Sequence, residues 1–230
     1  MTEAAVSRSR GLVVAIDGPS GAGKSTAGRA LAERLGYVFL DTGAMYRALA
    51  LDALRAGLSL EDQQALAELA SRLELSLESD GTVRLRGEDV AAAIRTREVA
   101  AAASKVAAHG TVRRQMVALQ RELGKEGGVV LDGRDIGTAV FPDAEVKFYL
   151  DADAGERAFR RHAELLASGE ASDQAAIERE IRERDRADSS RADSPLTRAH
   201  DAILLDTTLL GPQQVLERML AAVVAKAATA

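Results

Sequence analysis

The densest chemistry in the chain lies in one short run, Gly18-Pro19-Ser20-Gly21-Ala22-Gly23-Lys24-Ser25, followed by Thr26, which fits the spacing G-x-x-x-x-G-K-[ST]. Each residue type has a reason to be there. Glycines let a loop turn so that successive backbone N–H groups point inward at a phosphate. Lys24 brings a mobile positive charge to the β- and γ-phosphates, and the Ser25 hydroxyl is a ligand for Mg²⁺. A helix beginning at Ser25 adds its positive N-terminal end. A glycine-rich turn that fits by chance is the alternative, and the surrounding strand–loop–helix context argues against it. The run predicts binding of a nucleoside triphosphate and leaves open what is done with it.

Three further clusters narrow that question. Asp41-Thr42-Gly43-Ala44-Met45-Tyr46-Arg47 follows a short apolar run, where Thr42 can hydrogen-bond a small polar ligand and Arg47 can grip a phosphate bidentately. An ordinary helix cap with an outward arginine explains it equally well. Asp132-Gly133-Arg134-Asp135-Ile136-Gly137 also follows an apolar run. It reads either as a structural ion pair or as an acceptor site, with Arg134 on a phosphate and Asp135 on an exocyclic amine or sugar. The fourth cluster is arginine-rich. Residues 156–193 hold eight arginines, no lysine and ten acids, a formal balance of −2. Pairs four residues apart on a solvated helix account for Arg179 and Arg182. The polar run Arg184 to Arg191, before Pro195, reads as turn-prone and suits a mobile lid that brings guanidinium groups onto transferring phosphates.

These clusters need elements to hold them. Leu12–Asp17, Tyr37–Leu40, Gly128–Asp132 and Val146–Leu150 are apolar runs bounded by turn residues, the pattern of buried parallel strands; Ile203–Leu205 is a weaker fifth. Ser25–Leu35, stopped by Gly36, and Thr42–Leu54 predict helices, and a last helix follows Pro212. The opening β-loop-α-β-α order predicts a parallel sheet with right-handed crossovers. Between Leu58 and Arg95 the texture changes: Leu73–Glu78 and Thr82–Arg86 alternate apolar and polar about Ser79-Asp80-Gly81, an antiparallel hairpin. The expected organisation is a core of residues 11–57 and 96–228, an insertion at 58–95, and an arginine-rich lid at about 156–195. The Ala-rich stretch Val90–Ala108 reads as helical.

Composition excludes several classes. The chain has 230 residues, 47% of them hydrophobic but only 3% aromatic, which favours helices packed on a sheet over a β-sandwich. A net charge of −5 argues against nucleic acid as the main partner. With no cysteine, disulfides and thiolate chemistry are out. Residues 1–10 lack the apolar run of a signal peptide, and no uncharged apolar stretch reaches the roughly 18 residues of a membrane span. A cytoplasmic enzyme is the expectation.

At this point the sequence closely resembles the bacterial cytidylate kinases. The resemblance runs from about Leu12 to the C-terminal helix. Its carriers are IDGPSGAGKST (Ile16–Thr26), LDTGAMYRALAL (Leu40–Leu51), GEDVAAAIRTREVA (Gly87–Ala100), the Ser104–Arg113 stretch, DGRDIGTAVFPDAEVKFYLDA (Asp132–Ala152) and RERDRADSSRADSPL (Arg182–Leu196). It implies a phosphate-loop α/β core, a parallel sheet flanked by helices, with an inserted monophosphate-binding lobe. It further implies transfer of a phosphoryl group from Mg-ATP to CMP or dCMP by a monomer. By the same resemblance Thr42, Tyr46, Arg47, Ser104, Arg113, Arg134, Asp135, Arg184, Asp188 and Arg191 surround the acceptor. Arg113 and Arg134 would clamp its phosphate, while Ser104, Arg184 and Asp188 would read the cytosine edge and sugar. Arg157, Arg160 and Arg161 would approach the donor or the transferring phosphates, and Asp132 would organise Mg²⁺ or its waters. Thr42 replaces the Ser of many relatives and keeps the hydroxyl. The rivals are another small-metabolite phosphate-loop kinase, a nucleotide-dependent switch and a nucleic-acid end kinase. The GRDIGTAVFP run, the missing N-K-x-D sequence and the acidic balance disfavour them in turn.

Overall fold

The computed structural model describes residues 10–78 and 81–228. The chain runs β1 (Val13–Asp17), α1 (Lys24–Leu35), β2 (Val38–Asp41), α2 (Thr42–Arg55), α3 (Gln63–Ser71), β3 (Leu75–Leu77), β4 (Val83–Leu85) and β5 (Glu88–Asp89). It continues through α4 (Arg97–Val106), α5 (Gly110–Gly124), β6 (Val129–Asp132), β7 (Val146–Asp151), α6 (Ala154–Ala167), α7 (Gln174–Ser189), β8 (Ile203–Asp206) and α8 (Pro212–Ala227). It divides into two compact units, Met1–Phe39 with Glu126–Ala230, and Leu40–Lys125.

The first unit is built on the main sheet, ordered β2-β6-β1-β7-β8. β1 pairs in parallel with both β6 and β7, and β7 with β8. The expected fold class, a parallel α/β sheet flanked by helices, is what forms. Every residue of β1 is buried, as a continuous apolar run in a central parallel strand must be. Val14, Ile16, Val130 and Phe148 pack with Leu31 of α1 and with Met219 and Val223 of α8, so helices cover the sheet. The register sets Ile16 beside Asp132 and Asp17 beside Tyr149. Three polar side chains therefore crowd one carboxyl edge. α1 ends where expected: Gly36 takes a left-handed φ of 67° and its N–H turns back to Ala32 and Glu33.

The second unit has its own core, with Met45 and Leu49 of α2, Leu66 of α3, Ile94, and Met116 of α5 fully buried. Its small sheet, β3-β4-β5, is antiparallel. Val83 and Leu85 face inward while Arg84 between them does not, as the alternation predicts. The hairpin is extended by β5, and its expected turn residues Ser79 and Asp80 lie outside the described residues. The proposed 58–95 insertion falls within this unit.

One expectation about the elements is corrected. The polar run from Arg184 was expected to be turn-like, yet α7 continues through Ser189. Arg, Glu and Ala favour helix, and the Arg182–Glu178 pair four residues apart, at 2.7 Å, reinforces it against the Asp and Ser residues. The Val90–Ala108 stretch is largely helical, as expected, but in two pieces. A 3-10 turn at Ala93–Arg95 precedes Thr96, whose hydroxyl caps α4 by accepting from Val99 N at 3.3 Å. Among the described residues, no helix is long and apolar enough to cross a membrane.

Candidate active site

The phosphate loop leaves β1 in conformations that demand glycine. Gly18 has φ 141°, and a Cβ there would lie 1.9 Å from the Leu150 carbonyl oxygen. Gly23, at φ 86°, is the residue before α1, so Lys24 and Ser25 open the helix and the loop closes over its N-terminus. Lys24 is buried and donates to the Pro19 carbonyl at 2.6 Å. Burial first, and Arg134 next, hold its ammonium well below the usual lysine range, while Asp132 pulls the other way. A phosphate bound in the loop would add negative charge beside this lysine. The Ser25 hydroxyl donates to Asp132 Oδ2 at 2.5 Å, tying the loop to the end of β6.

Arginines brace the loop from outside. Arg157 donates to the Ser20 carbonyl at 3.1 Å and the Ala152 carbonyl at 2.8 Å, and pairs with Asp185 at 2.7 Å. Thr207 donates its hydroxyl to the Ala22 carbonyl at 3.1 Å, and Arg160 holds the Thr207 carbonyl at 2.5 Å. Both arginines thus grip backbone around the loop. Arg161 stands apart, exposed and paired with Glu164 at 3.1 Å.

Beyond β6 the structure gathers a second set. Arg134 donates Nε to Asp188 Oδ2 at 2.9 Å, and Arg191 binds the other oxygen of the same carboxylate. Burial alone would raise the Asp188 carboxyl, but Arg134 and Arg191 outweigh it and hold the group below the ordinary range. Arg184 is close enough for its charge to act on both Lys24 and Asp188. Asp132 and Asp135 are both buried. The extension of α7 explains the grouping, since it carries Arg184 and Asp188 one helical turn apart.

Sequence reasoning missed Asp17. It is 3% exposed, and accepts from the N–H groups of Ile136 and Gly137, each at 2.7 Å. Burial pushes its carboxyl up to about 6, against the lowering effect of those two bonds. The available signal was an acid ending an otherwise apolar strand at the ligand-bearing edge of the sheet.

The second unit carries its own polar group. Asp41 caps α2 through Ala44 N at 2.7 Å and pairs with Arg47 at 3.1 Å. Arg47 Nε is buried with no hydrogen-bond partner among the described residues. Thr42 is buried at the start of α2. Arg113 is buried, lies 5.7 Å from the centre of the Tyr46 ring and reaches the Ala107 carbonyl at 3.4 Å. Ser104 bonds back to the Ala100 carbonyl at 3.3 Å. Thr42, Tyr46, Arg47 and Arg113 are thus buried or half-buried polar groups of one unit.

The donor set also bears on a metal. The Ser25 hydroxyl and the Asp132 carboxylate are hard oxygen donors in direct contact. Among the described residues no group of three or more His, Cys, Asp or Glu could hold an ion by itself. Two oxygens beside a phosphate loop fit a small divalent cation that keeps several waters and arrives with nucleotide phosphates, the habit of Mg²⁺.

A parallel sheet with this loop after its first strand defines a phosphate-loop nucleotide-binding protein. The comparisons narrow the class: the family model described as "Cytidylate kinase" matches residues 14–225. A cytidylate kinase from Syntrophotalea carbinolica is 54% identical over 92% of this chain and 91% of its own. One from Citrifermentans bemidjiense is 50% identical over 92% of each. The chain belongs to the cytidylate kinase family, and is a kinase of nucleoside monophosphates. Among solved structures it is similar to a shikimate kinase from Acinetobacter baumannii, at 17% identity and a TM-score of 0.49 over 94% of this chain and 95% of that one, too distant to bear on substrate.

Proposed function

We propose that this chain transfers the γ-phosphoryl group of Mg-ATP to CMP or dCMP, giving ADP and CDP or dCDP, as a cytoplasmic monomer. The observation that carries the reading is the charge grouping on one sheet edge. Lys24 of the donor loop sits within electrostatic reach of Asp132, Arg134 and Arg184, and Arg134 is bonded to Asp188. Membership in the family supports CMP or dCMP as the acceptor.

The division of labour follows from chemistry. Residues Gly18 to Thr26 wrap the donor phosphates with backbone N–H groups, and Lys24 neutralises the bridging charge. Ser25 and Asp132 would hold Mg²⁺, which supplies charge neutralisation on the phosphate oxygens when bound. Arg134, with Arg47 and Arg113, is assigned to the acceptor phosphate. Arginine suits that task because its planar fork stays charged and spans two oxygens. Ser104, Asp135, Arg184, Asp188 and Arg191 are assigned to the base and sugar, and Thr42 and Tyr46 are likewise assigned to the acceptor. Arg157 is assigned to the donor side, where it supports the loop, and Arg161 would reach the donor only by leaving Glu164. Residues 156–195 would act as the lid that excludes water from the transferring group. A net charge of −5 and the acidic balance of the arginine-rich segment speak against a nucleic-acid acceptor.

Chromatography of products after incubation with Mg-ATP and CMP tests the reading. Equal amounts of ADP and CDP are expected. ADP with inorganic phosphate and no CDP would mean a triphosphatase and would remove the acceptor assignments.

A further inference from the structure

Arg134 and Asp135 are bracketed by the last two residues of β1. On one side, Gly133 N donates to the Ile16 carbonyl at 2.9 Å. On the other, Ile136 N and Gly137 N donate to Asp17 Oδ1 and Oδ2, each at 2.7 Å. The turn that follows, Ile136–Val140, is π-helical, and the Asp135 carbonyl accepts from Ala139 N at 2.8 Å and Val140 N at 3.1 Å. Its far end is held too: Lys147 donates to the Pro142 carbonyl at 2.5 Å and pairs with Asp201 at 2.8 Å. Gly137 lies against both grips, since a Cβ there would meet Lys147 Cδ at 3.1 Å and Asp17 Oδ2 at 3.4 Å.

A buried carboxylate is costly unless its oxygens are satisfied. Asp17 spends both on adjacent backbone N–H groups, and an amide could accept only one of them without turning its own NH₂ against the other. Capping a turn would need one acceptor. Fixing the plane of the peptide groups that follow Asp135 needs both.

We propose that Asp17 is a positioning residue for the acceptor side of phosphoryl transfer. Its two bonds set the course of the backbone through Arg134 and Asp135, and hence where their side chains meet the monophosphate. The proposal rests on the assignment of those two residues to the acceptor.

Steady-state kinetics of Asp17→Asn test it, with CMP and ATP varied separately. The expected result is a KM for CMP raised about tenfold, the order of one lost charge-assisted hydrogen bond, with the KM for ATP within about twofold of wild type. Glu145→Gln is the control. Glu145 accepts from Val13 N at 2.8 Å at the opposite end of β1 from Asp17, so its loss weakens a strand anchor other than the Asp17 bonds and should leave both constants alone. Should Asp17→Asn not fold, Gly137→Ala crowds the same contact mildly and should show the same split at smaller size. An unchanged KM for CMP, or constants for CMP and ATP rising together, overturns the positioning role. A wild type that prefers another monophosphate overturns the acceptor identity alone, and the split is then read on that acceptor.

Discussion

Lys24 enters a buried site that already contains Arg134 and Arg184, and Asp132 compensates only part of that positive charge. In the proposed function a donor phosphate would complete the balance, so removing the ammonium should affect every acceptor alike. Lys24→Ala is expected to lower kcat by about 10²–10³-fold with any monophosphate, measured by ADP release. Retained turnover would take Lys24 off the transferring phosphates. Arg134→Ala should instead cut kcat/KM for the acceptor by at least about 10²-fold while ATP binding, followed by calorimetry, stays near wild type. Asp17 gives a pH prediction. Its folded-state pKa of about 6 lies above the ordinary 3.8, so its stabilising contribution is complete below the lower value and is lost as pH rises through the higher. The gap between 3.8 and about 6 is on the order of 3 kcal/mol. Denaturant melts should show wild type losing stability relative to Asp17→Asn between those limits. A constant difference would mean that Asp17 titrates normally.

At the scale of elements, strand and loop were legible because their signals are local. Leu12–Asp17 is continuous apolar sequence, and Gly18, Gly23 and Gly36 mark backbone conformations that favour glycine. Leu31 was legible as helix but not as core, because which face of α1 is buried depends on the sheet beneath it. It packs fully buried with Ile16 and Phe148, so Leu31→Ala should cost about 2–5 kcal/mol in a urea melt, while exposed Arg34→Ala should cost little. α7 was misread at its end: Asp185, Asp188, Ser189 and Ser190 carry turn propensity, and the helical pairing of Arg182 with Glu178, with the docking of Asp185 on Arg157 and of Asp188 on Arg134, overrides it. Those partners are 54 residues apart for Arg134 and Asp188, beyond any local pattern. Asp17 was missed for the same reason. Its partners are 119 and 120 residues away, and they are backbone groups that carry no side-chain signature.

At the scale of the whole molecule, each of the two units has its own buried core, and each carries part of the polar inventory that the proposed function needs. The loop and the Asp132 to Arg191 group belong to one, and Thr42, Arg47 and Arg113 belong to the other. The family match across residues 14–225 spans both, so neither unit is an unrelated appendage. With hard oxygen donors at Ser25 and Asp132, the proposed function predicts turnover that depends on a divalent cation. Chelation should abolish ADP release, and Mg²⁺ should restore it. The measurement that bears most directly on the central claim is coupled ADP release with Mg-ATP and CMP, dCMP, UMP, AMP and GMP in parallel. Fast turnover with CMP and dCMP, slower with UMP and negligible with AMP and GMP, is the predicted result. A preference for AMP or GMP would contradict it, keeping the fold and donor loop while removing the cytosine-reading roles given to Ser104, Arg184 and Asp188.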